Sequence, residues 1–310
     1  MKILITGGAG YIGSVLTANL AALKHEVTIL DNFYFKQDFV KSDLAKKNIN
    51  IVNGDVRNEK LLLDLVKKND AIIPLAALVG APLCDLYPED AVQINQESIL
   101  SLRNILSKDQ IVIFPVSNSG YGIGKKNELC TEESELNPIS LYGKTKVLAE
   151  KIIMERENSI ALRLATVFGI SPRMRVDLLV NNFVYESLVK KHLKIFEGNF
   201  KRNYVHIDDV VNVFIFMINN FSKHKSNVFN FGLEDANLSK LELANKIKKY
   251  VTELVIEESE FGKDPDKRDY VVSNKKILST GYTFKKNLDD GIKELVNGLL
   301  KPGTNLSTNV

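Results

Sequence analysis

A tyrosine and a lysine stand four residues apart in the segment Tyr142-Gly143-Lys144-Thr145-Lys146. Residues i and i+4 of a helix share a face, so the phenol and the ammonium would lie side by side. A phenol with a pKa of about 10 is a poor base at neutral pH, and a nearby positive charge favours the phenolate. Tyr142 can then remove the proton of an alcohol whose carbon loses a hydride. Lys146 is also expected to hold a ribose of the hydride acceptor.

A serine at the end of an apolar run can complete this chemistry. Ser117 follows the run 111–116, which predicts a strand, and it opens the segment Ser117-Asn118-Ser119-Gly120. A hydroxyl there can donate a hydrogen bond to the reacting oxygen. Ser117 is preferred because of its position at the strand end, and Ser119 is the alternative.

A glycine-rich turn lies between the first predicted strand and the first predicted helix. Gly7, Gly10 and Gly13 recur at every third position. Backbone without Cβ atoms permits a close approach to a pyrophosphate, and the N–H groups at the start of the helix favour an anion. The turn therefore predicts a dinucleotide site, with Tyr11 and Ile12 among its contacts.

An acidic residue at the end of the second predicted strand distinguishes between dinucleotides. Asp31, with Asn32 beside it, stands about where the ribose-binding acid of such a site is expected. A carboxylate accepts hydrogen bonds from both hydroxyls of the adenosine ribose and repels a 2′-phosphate. The sequence therefore predicts NAD, and not NADP, as the cofactor.

Two further turns are expected at the same edge of the sheet. Asp55 and Val56 follow the third predicted strand, where the adenine should lie, and Asp55 is expected to accept from its amino group. Leu75, Ala76 and Ala77 follow the fourth strand, and their small side chains let the cofactor pass over them.

Apolar strand-like runs alternate with amphipathic helical stretches. Strands are predicted at 2–6, 26–30, 49–53, 71–76, 111–116, 160–167 and 227–231, and helices at 14–24, 59–68, 90–106 and 142–158. This alternation predicts an α/β fold with a Rossmann-like, doubly wound parallel sheet. The continuous apolar character of the strands is typical of burial on both faces.

The regular alternation of strands and helices ends in the second half of the chain, and this change predicts a smaller C-terminal substrate-binding lobe. We expect an NAD-binding domain at 1–169, completed by about 205–234. The lobe comprises 170–204 and 235–301. The polar segment 302–310 is expected to be a flexible tail.

Composition excludes several classes of protein. The 310 residues carry a net charge of +3 and no basic stripe with interleaved aromatics, so no nucleic-acid partner is expected. No apolar stretch reaches the roughly 18 residues of a membrane span, and we expect a cytoplasmic protein without a membrane partner. Cys84 and Cys130 are expected to be free thiols, and the four histidines have no metal-ligand spacing, so no metal site is predicted.

Together these motifs resemble the extended short-chain dehydrogenases, the NAD-dependent nucleotide-sugar epimerase/dehydratase family, over nearly the whole chain. The segment Arg202-Asn203-Tyr204-Val205-His206-Ile207-Asp208-Asp209 is similar to that family's Arg-Asp-Phe-Ile-His-Val-Asp-Asp. The resemblance implies a nucleotide-activated sugar as substrate, with Arg202 and Arg268 on its diphosphate. A guanidinium fork suits phosphate oxygens. His206 is expected to be a structural strand residue.

Two departures from the family pattern narrow the reaction. In the 4,6-dehydratases an Asp-Glu pair follows the catalytic hydroxyl, whereas Asn118 and Ser119 follow Ser117 here and cannot move the protons of a water elimination. The 3,5-epimerases similar to GDP-fucose synthase use a cysteine near this point, and no cysteine lies near Ser117 in the sequence. The reactions that remain act at one carbon: oxidation at C4, its reverse, or epimerisation at C4. Asn118 and Ser119 are expected to contact the substrate.

Three further segments, 75–84, 168–181 and 265–273, resemble the bacterial GDP-D-glycero-D-manno-heptose 4-dehydrogenases of capsule synthesis. This resemblance implies a GDP-sugar, and oxidation of the heptose C4 hydroxyl to a ketone. Further substrate contacts are expected at Val79, Gly80, Arg173 and Asn181.

Alternative functions use the same residues. A C4 epimerase would return the hydride to the rotated ketone, and a 4-ketosugar reductase would run the oxidation in reverse. A non-catalytic NAD-sensing protein would need no activated phenol. The apolar stripe on the helices at 90–106 and 142–158 is typical of a pair that forms a four-helix bundle in a homodimer. Its members are Ala91, Ile94, Ser98, Leu102 and Ile105.

Overall fold

A computed structural model describes residues 1–45, 47–125, 128–259 and 268–309. Within these ranges the chain forms twelve strands. They are β1 (Lys2–Thr6), β2 (Glu26–Asp31), β3 (Asn50–Asn53), β4 (Ala71–Pro74), β5 (Ile111–Ser117), β6 (Ser159–Leu164), β7 (Thr166–Phe168), β8 (His192–Phe196), β9 (Lys201–His206), β10 (Asn227–Phe231), β11 (Asn237–Ser239) and β12 (Val255–Ser259).

The described residues also form thirteen α-helices. They are α1 (Tyr11–Ala22), α2 (Val40–Ala45), α3 (Glu59–Val66), α4 (Ala81–Leu86), α5 (Pro88–Val92), α6 (Ser98–Ile105), α7 (Leu141–Met154), α8 (Leu179–Val189), α9 (Ile207–Asn219), α10 (Phe221–His224), α11 (Lys240–Lys248), α12 (Lys275–Ser279) and α13 (Leu288–Gly298). None of them is long and apolar enough to cross a membrane.

A seven-stranded sheet forms the centre of the fold. Its order is β10-β6-β5-β4-β1-β2-β3, and all its neighbouring strands run parallel. The chain builds outward from β1 through β2 to β3 and then returns to the other side of β1, so the strand order reverses between β1 and β4. This arrangement confirms the predicted Rossmann-like, doubly wound α/β fold.

Both faces of this sheet are covered. Ile3 and Ile5 of β1 belong to one apolar cluster, whereas Leu4 between them belongs to a second cluster on the opposite face. All three side chains are fully buried. Because successive residues of a strand point to opposite faces, a strand that is buried on both sides shows the continuous apolar run seen in the sequence.

The single strand predicted at 160–167 is two strands in two sheets. β6 ends at Leu164, and β7 begins at Thr166 and pairs with β9, which also pairs with β11. The Ala165 N–H donates the last bond to β10, at the carbonyl of Phe231. Every residue of this run is buried or half-buried, so the hydrophobic pattern carries no sign of the break.

The helix predicted at 90–106 is interrupted by one turn of π-helix at Gln93–Glu97, between α5 and α6. Asn95 in that turn directs its side chain to the backbone of Leu78, at distances of 2.8 and 2.9 Å. The wider turn brings the Asn95 amide against the residues that follow β4. The helical period of the sequence does not reveal this π-helical turn.

The apolar stripe expected to mediate a homodimer packs inside the chain. Ala91, Ile94, Ser98 and Leu102 are buried, the apolar three of them in the cluster on one face of the large sheet. The exposed apolar side chains of α6 and α7 include Leu100 and Leu148. The homodimer remains a prediction, and these other residues would form its surface.

The segment 302–309, which the sequence predicts to be flexible, contacts the loop between β7 and α8. The Val176 N–H donates to the Ser307 carbonyl at 2.9 Å. The division into an NAD-binding domain and a substrate lobe remains a prediction, as does the mobility of this segment.

Candidate active site

A cavity of about 480 Å³ opens at the carboxyl ends of the parallel strands. This edge is where ligands bind in open α/β sheets, beside the reversal of strand order. Most of the residues predicted from the sequence line it: Gly7, Gly10, Tyr11, Ile12, Gly13, Asp31, Asn32, Asp55, Val56, Leu75, Ala76, Ala77, Val79, Gly80, Ser117, Tyr142, Lys146, Arg173, Arg202 and Arg268.

The glycine turn after β1 has no room for side chains. A Cβ on Gly7 would lie 2.7 Å from the backbone nitrogen of Ala76, and one on Gly13 would lie 2.3 Å from the Gly7 carbonyl oxygen. Gly7 also has a φ of +70°, which glycine adopts without strain. This close packing sets the backbone of the turn against the start of α1, as a pyrophosphate cradle requires.

Asp31 is buried at the end of β2 and already accepts three hydrogen bonds. Its Oδ1 accepts from the Phe33 N–H at 2.9 Å and from Gln37 Nε2 at 3.1 Å, and its Oδ2 accepts from the Ala9 N–H at 2.9 Å. Burial raises the pKa of Asp31, while the backbone hydrogen bonds oppose that shift. One acceptor position remains on Oδ2.

Gln37 offers a second open acceptor beside Asp31. Its Oε1 is buried without a partner and lies in the amide whose nitrogen bonds Asp31. Gln37 also lines the cavity. The sequence analysis missed it because a glutamine six residues after the acid, in an irregular turn, carries no recognisable spacing.

Asp55 is held by a network after β3. Arg57 donates to both carboxylate oxygens from Nε and Nη2 at 2.9 Å, and Asn32 donates to Oδ2 at 3.0 Å. The hydrogen bonds from Arg57 lower the pKa of Asp55 to about 2. Arg57 Nη1 also donates to Asp90 on α5 at 2.6 Å, so Asp55 is linked through Arg57 to the helix that precedes the π-helical turn.

Tyr142 and Ser117 meet across the cavity, because α7 begins beside the end of β5. Ser140 caps α7 by accepting from the Gly143 N–H, which places Tyr142 in the first turn. Burial raises the pKa of the Tyr142 phenol to about 12, while the charges of Arg268 and Arg175 and a hydrogen bond with Ser117 act to lower it. The structure therefore brings the predicted phenol and hydroxyl together.

Lys146 lies one turn further along α7 and is almost fully buried. Its Nζ lies 4.3 Å from the centre of the Phe114 ring. Burial lowers the pKa of Lys146 to about 7, and the Glu150 carboxylate offsets only part of the shift. The sequence predicts an ammonium beside Tyr142, whereas in the structure burial favours the neutral amine of Lys146.

Arginines line the part of the cavity near Tyr142. Arg202 and Arg268, expected from the family resemblance, are joined by Arg175, which forms an ion pair with Asp177. Arg173 lies elsewhere: its guanidinium is 4.8 Å from the centre of the Phe35 ring, and Asp31 is among the charges acting on it. Arg173 was expected to contact the substrate, and its position is on the dinucleotide side of the cavity.

Three predicted substrate residues do not line the cavity. Asn181 is buried behind it, where its amide contacts the Tyr11 hydroxyl at 3.2 Å and the Gly169 N–H at 3.0 Å. Ser119 lies beneath Ser117. Asn118 is 1% exposed, and neither atom of its amide has a hydrogen-bond partner. Direct substrate contact by these residues stays a prediction.

His206 lies outside the cavity, with Asp208 and Glu294 close to it. Its Nδ1 accepts from the Asp208 N–H at 3.2 Å, which places the ring proton on Nε2 and leaves that atom no lone pair for a metal. Lys286 lies between the two carboxylates and pairs with both. The imidazole caps α9, in keeping with the structural role expected for it.

The fold and the cavity define a dinucleotide-binding enzyme with a phenol, a hydroxyl and an amine around its reaction site. Residues 3–232 match the NAD dependent epimerase/dehydratase family. The chain therefore belongs to this NAD-dependent family, and its cofactor is NAD.

Individual relatives act on nucleotide sugars. UDP-glucose 4-epimerase of Lactobacillus helveticus is 29% identical over 274 residues, which cover 80% of this chain and 82% of the relative. Among solved structures, UDP-glucuronic acid 4-epimerase from Bacillus cereus, in complex with UDP-glucuronic acid and NAD, has a TM-score of 0.83 at 24% identity, covering 96% of this chain and 98% of that one. Pal from Bacillus thuringiensis has a TM-score of 0.85 at 21% identity, with coverages of 96% and 99%.

Proposed function

We propose that this protein oxidises the C4 hydroxyl of a nucleotide-activated sugar to a ketone, with GDP-D-glycero-D-manno-heptose as the substrate and capsule synthesis as the setting. The observation that carries the reaction type is the contact of Tyr142 with Ser117 at the carboxyl end of β5. The choice of GDP-heptose depends on the sequence resemblance of segments 75–84 and 168–181. Residues 265–267 of the third segment of that resemblance, 265–273, lie outside the described residues.

Tyr142 acts as the base. Its phenolate takes the proton of the sugar hydroxyl as the carbon–hydrogen bond breaks and the carbonyl forms. NAD, when bound, accepts the hydride from that carbon. Ser117 donates a hydrogen bond to the reacting oxygen, and the positive charges of Arg268 and Arg175 assist loss of the Tyr142 proton.

The cofactor contacts fit the turns after the first four strands. Gly7, Gly10 and Gly13 with the start of α1 would hold the pyrophosphate. Asp31 and Gln37 would hold the adenosine ribose through the acceptor positions still open to them. Asp55 would accept from the adenine amino group, with its carboxylate oriented by Arg57.

The acids of the cavity support oxidation and disfavour water elimination. Among the described residues that line it, Asp31, Asp55 and Asp177 carry the carboxylates, and each is already bonded to neighbours. A dehydratase needs a further acid and base to remove a proton and expel water. Tyr142 and Lys146 are sufficient for chemistry at one carbon.

The sugar nucleotide would lie in the arginine-lined part of the cavity. Arg202 and Arg268 are proposed to bind the diphosphate, because guanidinium groups match phosphate oxygens in geometry and charge. Val79 and Gly80, which line the cavity just before α4, are proposed to contact the sugar. Gly80 has a φ of +106°, so a side chain there would strain the wall.

The test is to incubate the purified protein with NAD and GDP-D-glycero-D-manno-heptose and to determine the mass of the sugar nucleotide. Loss of two hydrogens together with NADH absorbance is the expected result. Loss of water would contradict the inference that the carboxylates of the cavity, which are already bonded to neighbours, disfavour an elimination. No reaction with GDP-heptose, but reaction with a UDP- or dTDP-sugar, would refute the GDP assignment and retain the oxidation.

A C4 epimerase is the second candidate, favoured by the activities of the relatives from L. helveticus and B. cereus. It would leave the mass of the sugar nucleotide unchanged and invert C4, which NMR of the product detects. Exchange of deuterium from solvent is not expected in either reaction, because the hydrogen moves between C4 and the cofactor. A 4-ketosugar reductase would instead consume NADH with a ketosugar substrate.

A further inference from the structure

The segment 302–309 lies against the wall of the cavity. The Ser307 carbonyl accepts from the Val176 N–H at 2.9 Å, and the Thr308 carbonyl accepts from Arg173 Nη2 at 3.3 Å. Asn309 is 7% exposed and lines the cavity, although Asn305 on the same segment is exposed. The segment therefore docks through its last described residues.

The contact at Arg173 is made to a buried cation. The side chain is 2% exposed, its Nε has no hydrogen-bond partner, and no carboxylate among the described residues pairs with it. Burial lowers the pKa of the guanidinium to about 10. The charges of Asp177 and Asp31 act on the guanidinium, but neither carboxylate bonds to it, so an anion beside Arg173 would stabilise this buried cation.

The position of Arg173 indicates which ligand the segment faces. The guanidinium stacks on Phe35, which follows β2, and it is influenced by Asp31. Ser171, two residues earlier, contacts the Tyr11 carbonyl and the Ser14 hydroxyl at the start of α1. Arg173 and the segment on it thus border the cavity beside Phe35 and Asp31, where the adenosine of the dinucleotide is proposed to bind.

Asn309 offers a hydrogen-bonding group at the same place. Its Oδ1 is buried and has no partner. An unpaired buried acceptor in a cavity wall loses its hydration without compensation unless a ligand donates to it. The ribose hydroxyls and the adenine amino group of a dinucleotide are donors of the required kind.

We propose that residues 307–309 form a wall of the dinucleotide site, with Asn309 as a further cofactor-contact residue, and that this wall slows release of the dinucleotide. The proposal relies on NAD as the cofactor and is independent of the sugar and of the reaction. Binding of the dinucleotide and docking of the segment should favour each other, because the phosphates neutralise the cation on which the segment lies.

The experiment measures release of NADH from three variants and from the unaltered protein, by the loss of bound-NADH fluorescence after addition of excess NAD. One variant ends at Lys301, one carries Asn309→Ala, and one carries Asn305→Ala as a matched control on the exposed part of the segment. Thermal unfolding of each variant establishes that it is folded. No sugar is present, so failure of the proposed reaction does not affect the result.

Release is expected to accelerate roughly two- to tenfold in Asn309→Ala, by the loss of one hydrogen bond, and further in the shortened chain, with Asn305→Ala unchanged. Slower release or tighter binding in the shortened chain would mean that the segment obstructs the site, and equal rates in all four proteins would mean that it is not part of the site; either overturns the proposal. As a second readout, NADH should slow amide hydrogen exchange in residues 302–309 and at Val176.

Discussion

Ser119 donates two hydrogen bonds to a single atom of Ser117: its backbone N–H at 3.2 Å and its hydroxyl at 2.7 Å from Oγ. Both lone pairs of the Ser117 hydroxyl are therefore occupied, and its own proton must point away from Ser119. That proton is available to the Tyr142 phenol, whose pKa the Ser117 hydroxyl acts to lower. Ser119, which the sequence analysis treated as the alternative catalytic serine, thus positions the serine that faces the cavity.

Replacing this positioning residue should lower the turnover rate more than substrate binding. In Ser119→Ala the Ser117 hydroxyl is free to rotate, so we expect kcat to fall roughly ten- to hundredfold with KM little changed. Steady-state kinetics on the sugar nucleotide measures both. The double variant with Ser117→Ala should be no slower than Ser117→Ala alone, because the two residues act as one unit. Additive losses would contradict the positioning role.

Lys146 makes the stability of the fold depend on pH. Its pKa is about 7 in the folded chain and about 10.5 when unfolded, so between these values the unfolded chain binds more protons and stability rises with pH. Lys146→Met should remove a slope of about 1.4 kcal/mol per pH unit between pH 7.5 and 9.5. Urea unfolding at both pH values measures it.

Lys144→Met, on the exposed side of the same helix, is the control for this slope. It should leave the pH dependence as in the unaltered protein, because an exposed lysine titrates alike in both states. A slope that survives Lys146→Met would mean that Lys146 is charged in the folded chain.

Arg57 should matter for cofactor affinity through Asp55. In Arg57→Met the carboxylate loses its two bonds from the guanidinium and keeps the bond from Asn32, and the dissociation constant of NADH should rise roughly two- to tenfold. Fluorescence titration of NADH is the measurement. Arg103→Met removes another arginine of the same exposure, which pairs with Glu155 away from the cavity, and it should have no effect. Equal affinity in Arg57→Met would show that the network does not orient Asp55.

The glycines of the first turn should not be equally sensitive. A Cβ on Gly13 would lie 2.3 Å from the Gly7 carbonyl oxygen, whereas one on Gly10 would lie 3.1 Å from the same atom. Gly13→Ala should therefore displace α1 and abolish NADH binding, and Gly10→Ala should weaken it by a smaller factor. NADH titration ranks the two variants, and thermal unfolding reports on the fold. The reverse ranking would contradict this packing.

Local regularities made much of the molecule predictable. Asp31 at the end of β2, the glycine turn before α1 and the Tyr142–Lys146 pair all occupy positions that strand and helix periods define within a few residues. The parallel sheet follows from the same alternation, because strands buried on both faces must be apolar throughout. For that reason the fold class could be predicted from the chain alone, and so could the presence of the glycine turn and Tyr142 in one cavity.

The burial, the protonation and the contacts of these residues depend on segments that are distant in the sequence, and only the tertiary structure determines them. The amine of Lys146 has a lowered pKa because of the packing that surrounds it, and Arg173 lies beside Asp31 because the loop after β7 folds back over β2. Gln37 and Asn309 reach the cavity from an irregular turn and a polar segment without periodicity. Burial, protonation and contacts between residues far apart in sequence depend on the whole packed chain, whereas helix and strand periods are local properties of the sequence.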